Sequence, residues 1–250
     1  MTVSTTPSTL VITRSADRVV VQLNRPEVRN AINQQMVDEL HAVCAELEAQ
    51  PRILIITGSD GVFASGADIA ELRERTSADA LTGINTMLFI RIAELPMPVI
   101  AAVDGYALGG GAELAYAADF RIGTPGTKLG NPETGLGIIA PAGALWRLRE
   151  LVGEPLAKEV LLAGRILGAE EALATRLLTR VVEPGELLAA AHALADEIAA
   201  KSVAATIQTK AIMRVDRGQH PQLDLAAQAV LFDSDDKRRR MTDFLERKKR

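Results

Sequence analysis

Val99 to Val103 (VIAAV) is an unbroken apolar run of strand length, and the glycine-rich stretch after it constrains this chain more than any other. Gly105 breaks the run, Gly109, Gly110 and Gly111 come next, and Ala112 to Tyr116 opens an apolar helix. Three glycines at a helix start put backbone N–H donors where another group can approach them closely. The first side chain beyond them able to do chemistry is Glu113, in an almost wholly apolar run, an expensive position for a carboxylate. Glu133 follows Pro132 in an otherwise uncharged, glycine-rich loop. Two acids in apolar settings beside exposed N–H groups point to acid/base chemistry on a substrate that develops an oxyanion.

The rest of the chain supplies a frame for that stretch. Leu10 to Thr13 and Arg18 to Leu23 read as strands around a turn at Ala16-Asp17, and Asn24-Arg25-Pro26 stops the second strand. Ile32, Met36, Val37, Leu40, Val43, Cys44 and Leu47 share one helical stripe, which makes Cys44 a core residue rather than a nucleophile. Ile53 to Thr57 reads as a buried strand, Ile69 to Arg75 as the start of a helix, and Leu81 to Leu95 as a helix closed by Pro96. Strands and helices alternate to about residue 125, which predicts an α/β fold. After Ala142 the pattern is mainly helical, with Val181-Val182 as a short extended exception and a helix from Gly185 to Ala200.

Composition excludes several classes. Aromatic residues are 3% of the 250 and the net charge is −4, so nucleic-acid binding is not expected. No apolar run approaches the ~20 residues that span a bilayer. The single cysteine cannot form an internal disulfide, which fits a reducing cytoplasm. Other motifs fail on a required residue. Leu114 stands where a dinucleotide fingerprint needs its third glycine, and Ala67 where a P-loop from Gly61 to Gly66 needs lysine. Phe63 and Ala67 stand where a nucleophile elbow around Ser65 needs glycines. His41, His192 and His220 are scattered, which argues against a zinc site.

Four segments in order resemble the enoyl-CoA hydratase/isomerase (crotonase) family: NRPEVRNAI (24–32), FASGADIAEL (63–72), DGYALGGGAELAYAADFRI (104–122) and NPETGLG (131–137). The resemblance implies a fold of repeated ββα units wound into a right-handed spiral over residues 1–195. A helical C-terminal region over 196–250 would serve oligomerisation and cover the active site. It implies an acyl-CoA thioester substrate, with no cofactor beyond the CoA of the substrate and no metal, and a homotrimer or dimer of trimers. By position it assigns Glu113 and Glu133 as the catalytic acids and the N–H groups of Ala67 and Gly110 as the oxyanion hole. The first loop contributes Arg25, Val28, Arg29 and Ala31 to substrate binding, and the second segment Ser65, Gly66, Asp68 and Ile69. Tyr106, Gly109, Pro132, Leu136 and Pro141 complete that set. The residues themselves also allow a helix-capping role for Asp68, turn or cap roles for Asp104 and Asp119, and packing roles for Tyr106 and Trp146.

Three positions depart from the family pattern. Pro141 stands in place of a glycine near the reactive part of the substrate, and proline has no N–H. Ala70 and Glu27 occupy positions where basic residues are common, leaving Arg25, Arg29 and the basic C-terminus for the CoA phosphates. That terminus holds Lys237, Arg238, Arg239, Arg240, Arg247, Lys248 and Arg250. Adding water to a trans-2-enoyl thioester is the expected reaction, with double-bond isomerisation or non-catalytic acyl-CoA binding as the alternatives.

Overall fold

The structure is a computed structural model that describes residues 8–247. Lys248 and Arg250, expected as candidate phosphate ligands, lie outside the described residues. β1 (Leu10–Arg14) and β2 (Arg18–Leu23) form the expected antiparallel hairpin. α1 (Gln34–Ala49) begins where the Asn33 side chain accepts the Met36 N–H at 3.0 Å, and its stripe from Met36 to Leu47, Cys44 included, is buried. β3 (Ile53–Thr57) is buried at every position, as a central parallel strand covered on both faces must be.

α2 (Ile69–Glu74) starts at Asp68, whose side chain accepts the Ala70 N–H. The helix expected over Leu81 to Leu95 is instead two, α3 (Ser77–Thr82) and α4 (Ile84–Glu94). Gly83, at φ 65°, sits between them in the left-handed region that ends a helix. The apolar periodicity runs on across this turn, so the pattern alone does not reveal it.

The central stretch folds as β4 (Val99–Val103), β5 (Tyr106–Leu108), α5 (Gly110–Ala117), β6 (Phe120–Gly123) and β7 (Lys128–Gly130). β4 and β6 are parallel neighbours in a large sheet, and β5 and β7 are parallel neighbours in a small one. Two strands and a helix therefore carry the chain once around and back beside its starting point. The chain continues through α6 (Arg149–Val152), α7 (Glu154–Ala163), β8 (Leu167–Gly168), α8 (Ala169–Ala174), β9 (Arg180–Val181) and α9 (Leu187–Ala199). The large sheet has the order β1-β2-β3-β4-β6-β9, and the small one β5-β7-β8. β5 and β8 are too short to show alternation and lie outside the strands expected from sequence.

Period-two alternation divides the core between the two faces of the large sheet. Leu54, Ile56, Val99, Ala101 and Val103 face α1, α4 and α5. Ile53, Ile55, Ile100, Ala102 and Ile122 face Leu187, Ala191, Leu194 and Ala195 of α9. A boundary between residues 195 and 196 thus falls inside α9, a helix packed on the sheet. α10 (Val203–Ile212), α11 (Gln222–Phe232) and α12 (Asp235–Arg247) follow, and none of the three buries a residue within this chain.

Candidate active site

α5 places one acid and one donor together. All eight of its residues are buried. Gly109 precedes it at φ 51° and ψ −126°, a conformation that suits glycine. The first intrahelical bond runs from Glu113 N to Gly109 O at 3.0 Å. Gly110 opens the helix, and its N–H is one of the donors a helix start leaves without an intrahelical partner. Glu113 lies three residues on, so its side chain projects from the same face. Gly111 meets the Ala64 carbonyl so closely that a Cβ there would overlap it, which seats α5 against the strand segment around Ala64.

The second donor comes from the loop before α2. Ile32 pairs with Ala67 in a parallel bridge in which Ile32 N donates to Gly66 O at 2.8 Å and Asp68 N donates to Ile32 O at 2.9 Å. The N–H of Ala67 itself then points away from Ile32, because alternate groups along an extended chain face opposite sides. A Cβ built on Gly110 would stand 3.4 Å from Ala67 N. The two N–H groups named from sequence are neighbours in space.

Both acids are buried. Glu113 is 2% exposed, and its Oε1 accepts the Ala144 N–H at 3.1 Å. Burial pushes its carboxyl up to about 8 against the opposing pull of N–H bonds from Ala144 and Ala142, and the charge of Glu133 pushes the same way. Glu133 is 9% exposed, and burial raises its carboxyl as well. Its Oε1 accepts from Asn131 Nδ2 at 3.3 Å, while its Oε2 is buried with no partner. Asn131 Nδ2 also donates to Gly109 O at 3.3 Å, which ties the loop acid to the turn before α5.

A cavity of about 560 Å³ joins these groups. Of the residues named from sequence, Ser65, Gly66, Ala67, Ile69, Gly109, Gly110, Glu113, Pro132, Glu133, Leu136 and Pro141 line it. Arg25, Val28, Arg29, Ala31, Asp68 and Tyr106 do not. Arg25 donates through Nη1 to Ala31 O at 2.7 Å and to Asp68 at 2.9 Å, and so ties the first loop to the start of α2. Tyr106 is 49% exposed on β5, outside the cavity lining. The Ser65 N–H donates to Arg29 O, so the first loop supports the donor segment from behind. Pro141 reaches the cavity wall, and its carbonyl accepts from Thr86 Oγ1 at 3.3 Å.

Sequence reasoning missed the lining that Thr76, at the cap of α3, and Ile84, Asn85 and Thr86 of α4 supply, and missed Ile138 and Ile139. A polar Asn85-Thr86 pair at the start of an otherwise apolar helix was the available signal. The basic residues near the C-terminus are largely engaged within α12: Arg238 with Asp235, Arg239 and Arg240 with Asp236. Among the described residues no group of three or more His, Cys, Asp or Glu is placed to hold a metal ion, and no helix is long and apolar enough to cross a membrane.

Two buried carboxyls of raised proton affinity and two backbone N–H donors line one cavity, an arrangement suited to acid/base chemistry on a substrate that develops an oxyanion. The chain belongs to the enoyl-CoA hydratase/isomerase family, whose sequence profile matches residues 14–250. It is 35% identical to the short-chain-enoyl-CoA hydratase of Clostridium acetobutylicum, over 96% of this chain and 95% of that one. It is 35% identical to the crotonyl-CoA hydratase of Syntrophomonas wolfei, over 96% of each. The solved structure of an enoyl-CoA hydratase from Bacillus anthracis superposes with a TM-score of 0.91 at 30% identity, again over 96% of each chain. The expected crotonase fold and family are thereby borne out.

Proposed function

We propose that this protein is an enoyl-CoA hydratase that adds water across the double bond of a trans-2-enoyl-CoA thioester to give a 3-hydroxyacyl-CoA. The observation that carries this is the pairing of Glu113 and Glu133, both raised by burial, with the Ala67 and Gly110 donors in one cavity. The thioester carbonyl accepts the two N–H groups, which makes C3 electrophilic. In the reactive form of the pair Glu113 is ionised and Glu133 protonated: Glu113 takes a proton from the attacking water as its oxygen bonds to C3, and negative charge collects on the thioester oxygen as an enolate. Two fixed donors stabilise that charge without reorganising, and removing one such donor costs about 10²–10³ in rate. Glu133 gives a proton to C2, which leaves Glu113 protonated and Glu133 ionised, and a proton passes from Glu113 to Glu133 once the product has left. Because they act on one water and influence each other's charge, they titrate as a pair.

Ser65, Gly66, Ile69, Leu136 and Pro141 contact the acyl thioester in this reading, and the first loop, with Arg29, borders the CoA portion. The spiral, with α9 packed on its sheet, carries the site, and the helices that follow α9 serve assembly as a homotrimer or dimer of trimers in the cytoplasm. The unburied α11 and α12, with Leu225 66% and Val230 68% exposed, support that assembly. No cofactor is needed for the addition.

Incubation with crotonyl-CoA tests the reaction. The conjugated-enoyl ultraviolet absorbance is expected to fall while the product gains the mass of one water. A product of unchanged mass identifies an isomerase instead, and an unchanged spectrum refutes turnover of this substrate class.

A further inference from the structure

Asn85 is the second residue of α4, whose other inward residues, Leu88, Phe89 and Ile92, are buried and apolar. Asn85 lines the cavity, as do Ile84, Ile69 and Leu72. Its Oδ1 is buried with no hydrogen-bond partner. Leaving a buried acceptor unpaired destabilises a fold, and an apolar side chain of the same shape would remove that penalty. Such a group in a native structure calls for a reason beyond packing.

The other end of the amide supplies one. The point where a Cβ on Gly110 would stand lies 3.4 Å from Asn85 Nδ2 and 3.4 Å from Ala67 N. That point is one bond from the α-carbon that carries the Gly110 N–H. Three N–H-bearing nitrogens, two from backbone and one from a side chain, therefore surround the space that glycine leaves open at position 110. α4 holds the amide there through two fixings. Gly83 turns the chain immediately before it, and the neighbouring Thr86 hydroxyl is bonded to Pro141 O.

We propose that Asn85 is a further catalytic residue: its side-chain amide donates a third hydrogen bond to the thioester oxygen, beside the N–H groups of Ala67 and Gly110. The inference rests on the hydratase reading and adds a donor to it. A third donor matters most where negative charge is greatest, in the enolate-like transition state, so it acts on kcat more than on KM. The amide is kept for its nitrogen, although its oxygen stays unpaired.

The test compares wild type with Asn85→Leu, which is close in shape, and Asn85→Ala. With crotonyl-CoA, kcat is expected to fall by about 10²-fold in both variants, as for other oxyanion donors, with KM nearly unchanged. The melting temperature of Asn85→Leu is expected to equal or exceed that of wild type, because the orphaned oxygen is gone. A conjugated dienoyl-CoA bound to wild type should show a red-shifted absorbance from carbonyl polarisation, and the shift should shrink in both variants. Equal red shifts in wild type and variants overturn the proposal. So does a loss of activity that follows a lowered melting temperature in both variants, which indicates a packing role. A rise in turnover overturns it too, since the amide would then be obstructing the hole. If wild type itself leaves enoyl-CoA unchanged and shifts no chromophore, the hydratase reading fails first and the third donor falls with it.

Discussion

Glu133 Oε1 lies 3.1 Å from the position that a Cβ on Gly109 would occupy. The acid of the loop and the turn before α5 are therefore close neighbours, and a methyl group at position 109 would fit only if the carboxyl gave way by a few tenths of an ångström. Gly109→Ala would press a methyl group on that carboxyl at φ 51° and ψ −126°, a conformation that suits glycine and strains an alanine by about 1–3 kcal/mol. The expected outcome is a melting temperature lowered by several degrees and a kcat reduced at least about tenfold, since displacing a reacting group by about 1 Å can cost far more. Steady-state kinetics and thermal unfolding on the same preparation check this, and unchanged kcat would show that the contact does not position the acid.

Removing either acid tests their shared work on one water. Glu113→Gln and Glu133→Gln are each expected to lower kcat by about 10²–10⁴, the usual span for a general acid or base, while leaving the affinity for a saturated acyl-CoA nearly unchanged. The double variant should be little worse than the poorer single one. Additive losses would assign the two carboxyls to separate events.

The buried acid also predicts how stability responds to pH. Glu113 holds its proton to about 8 in the fold against 4.5 when unperturbed. A group raised in this way contributes stability that is fully present below the unfolded value and is lost as pH rises through the folded one. Glu133 shifts in the same direction. The melting temperature of wild type should therefore decline between about pH 4.5 and pH 8 more steeply than that of Glu113→Gln, which has no such proton to lose. Parallel curves for the two proteins would refute the buried protonated state.

The first loop separates two kinds of arginine. Arg25 is bound to Asp68 and to the Ala31 carbonyl, whereas Arg29 is exposed. Arg25→Ala should loosen the start of α2 and raise KM equally for CoA and pantetheine thioesters. Arg29→Ala should raise KM for the CoA thioester only, with an effect that shrinks at high salt, where exposed charges are screened. Measuring both substrates at two ionic strengths decides the matter, and a KM change for pantetheine with Arg29→Ala would remove it from the phosphate site.

The amino-acid sequence alone determined the elements whose pattern is local. The alternation of β3 and β4 with α1 follows from unbroken apolar runs and a 3.6-residue stripe. The glycine triplet before Glu113, and Glu133 after Pro132, marked where carboxyls sit in apolar surroundings. Asp68 at the start of α2 was legible as a cap because N-terminal capping needs only neighbouring residues.

Tertiary structure decided the rest, for reasons that no local pattern carries. The break at Gly83 divides a continuous apolar stripe, because a left-handed turn lets α4 pack on α5. β5 and β8 are strands only by virtue of their partners across the small sheet. The closeness of Ala67 N to Gly110, 43 residues apart in sequence, depends on a bridge to Ile32 and on the seat of Gly111 against Ala64. The raised proton affinity of the two acids is a property of burial, which the fold supplies. Asn85 faces the donors only because helix packing carries α4 there. Hydrogen-bond and solvation energies depend on which groups meet in space, and that meeting is fixed when the layers close over the cavity.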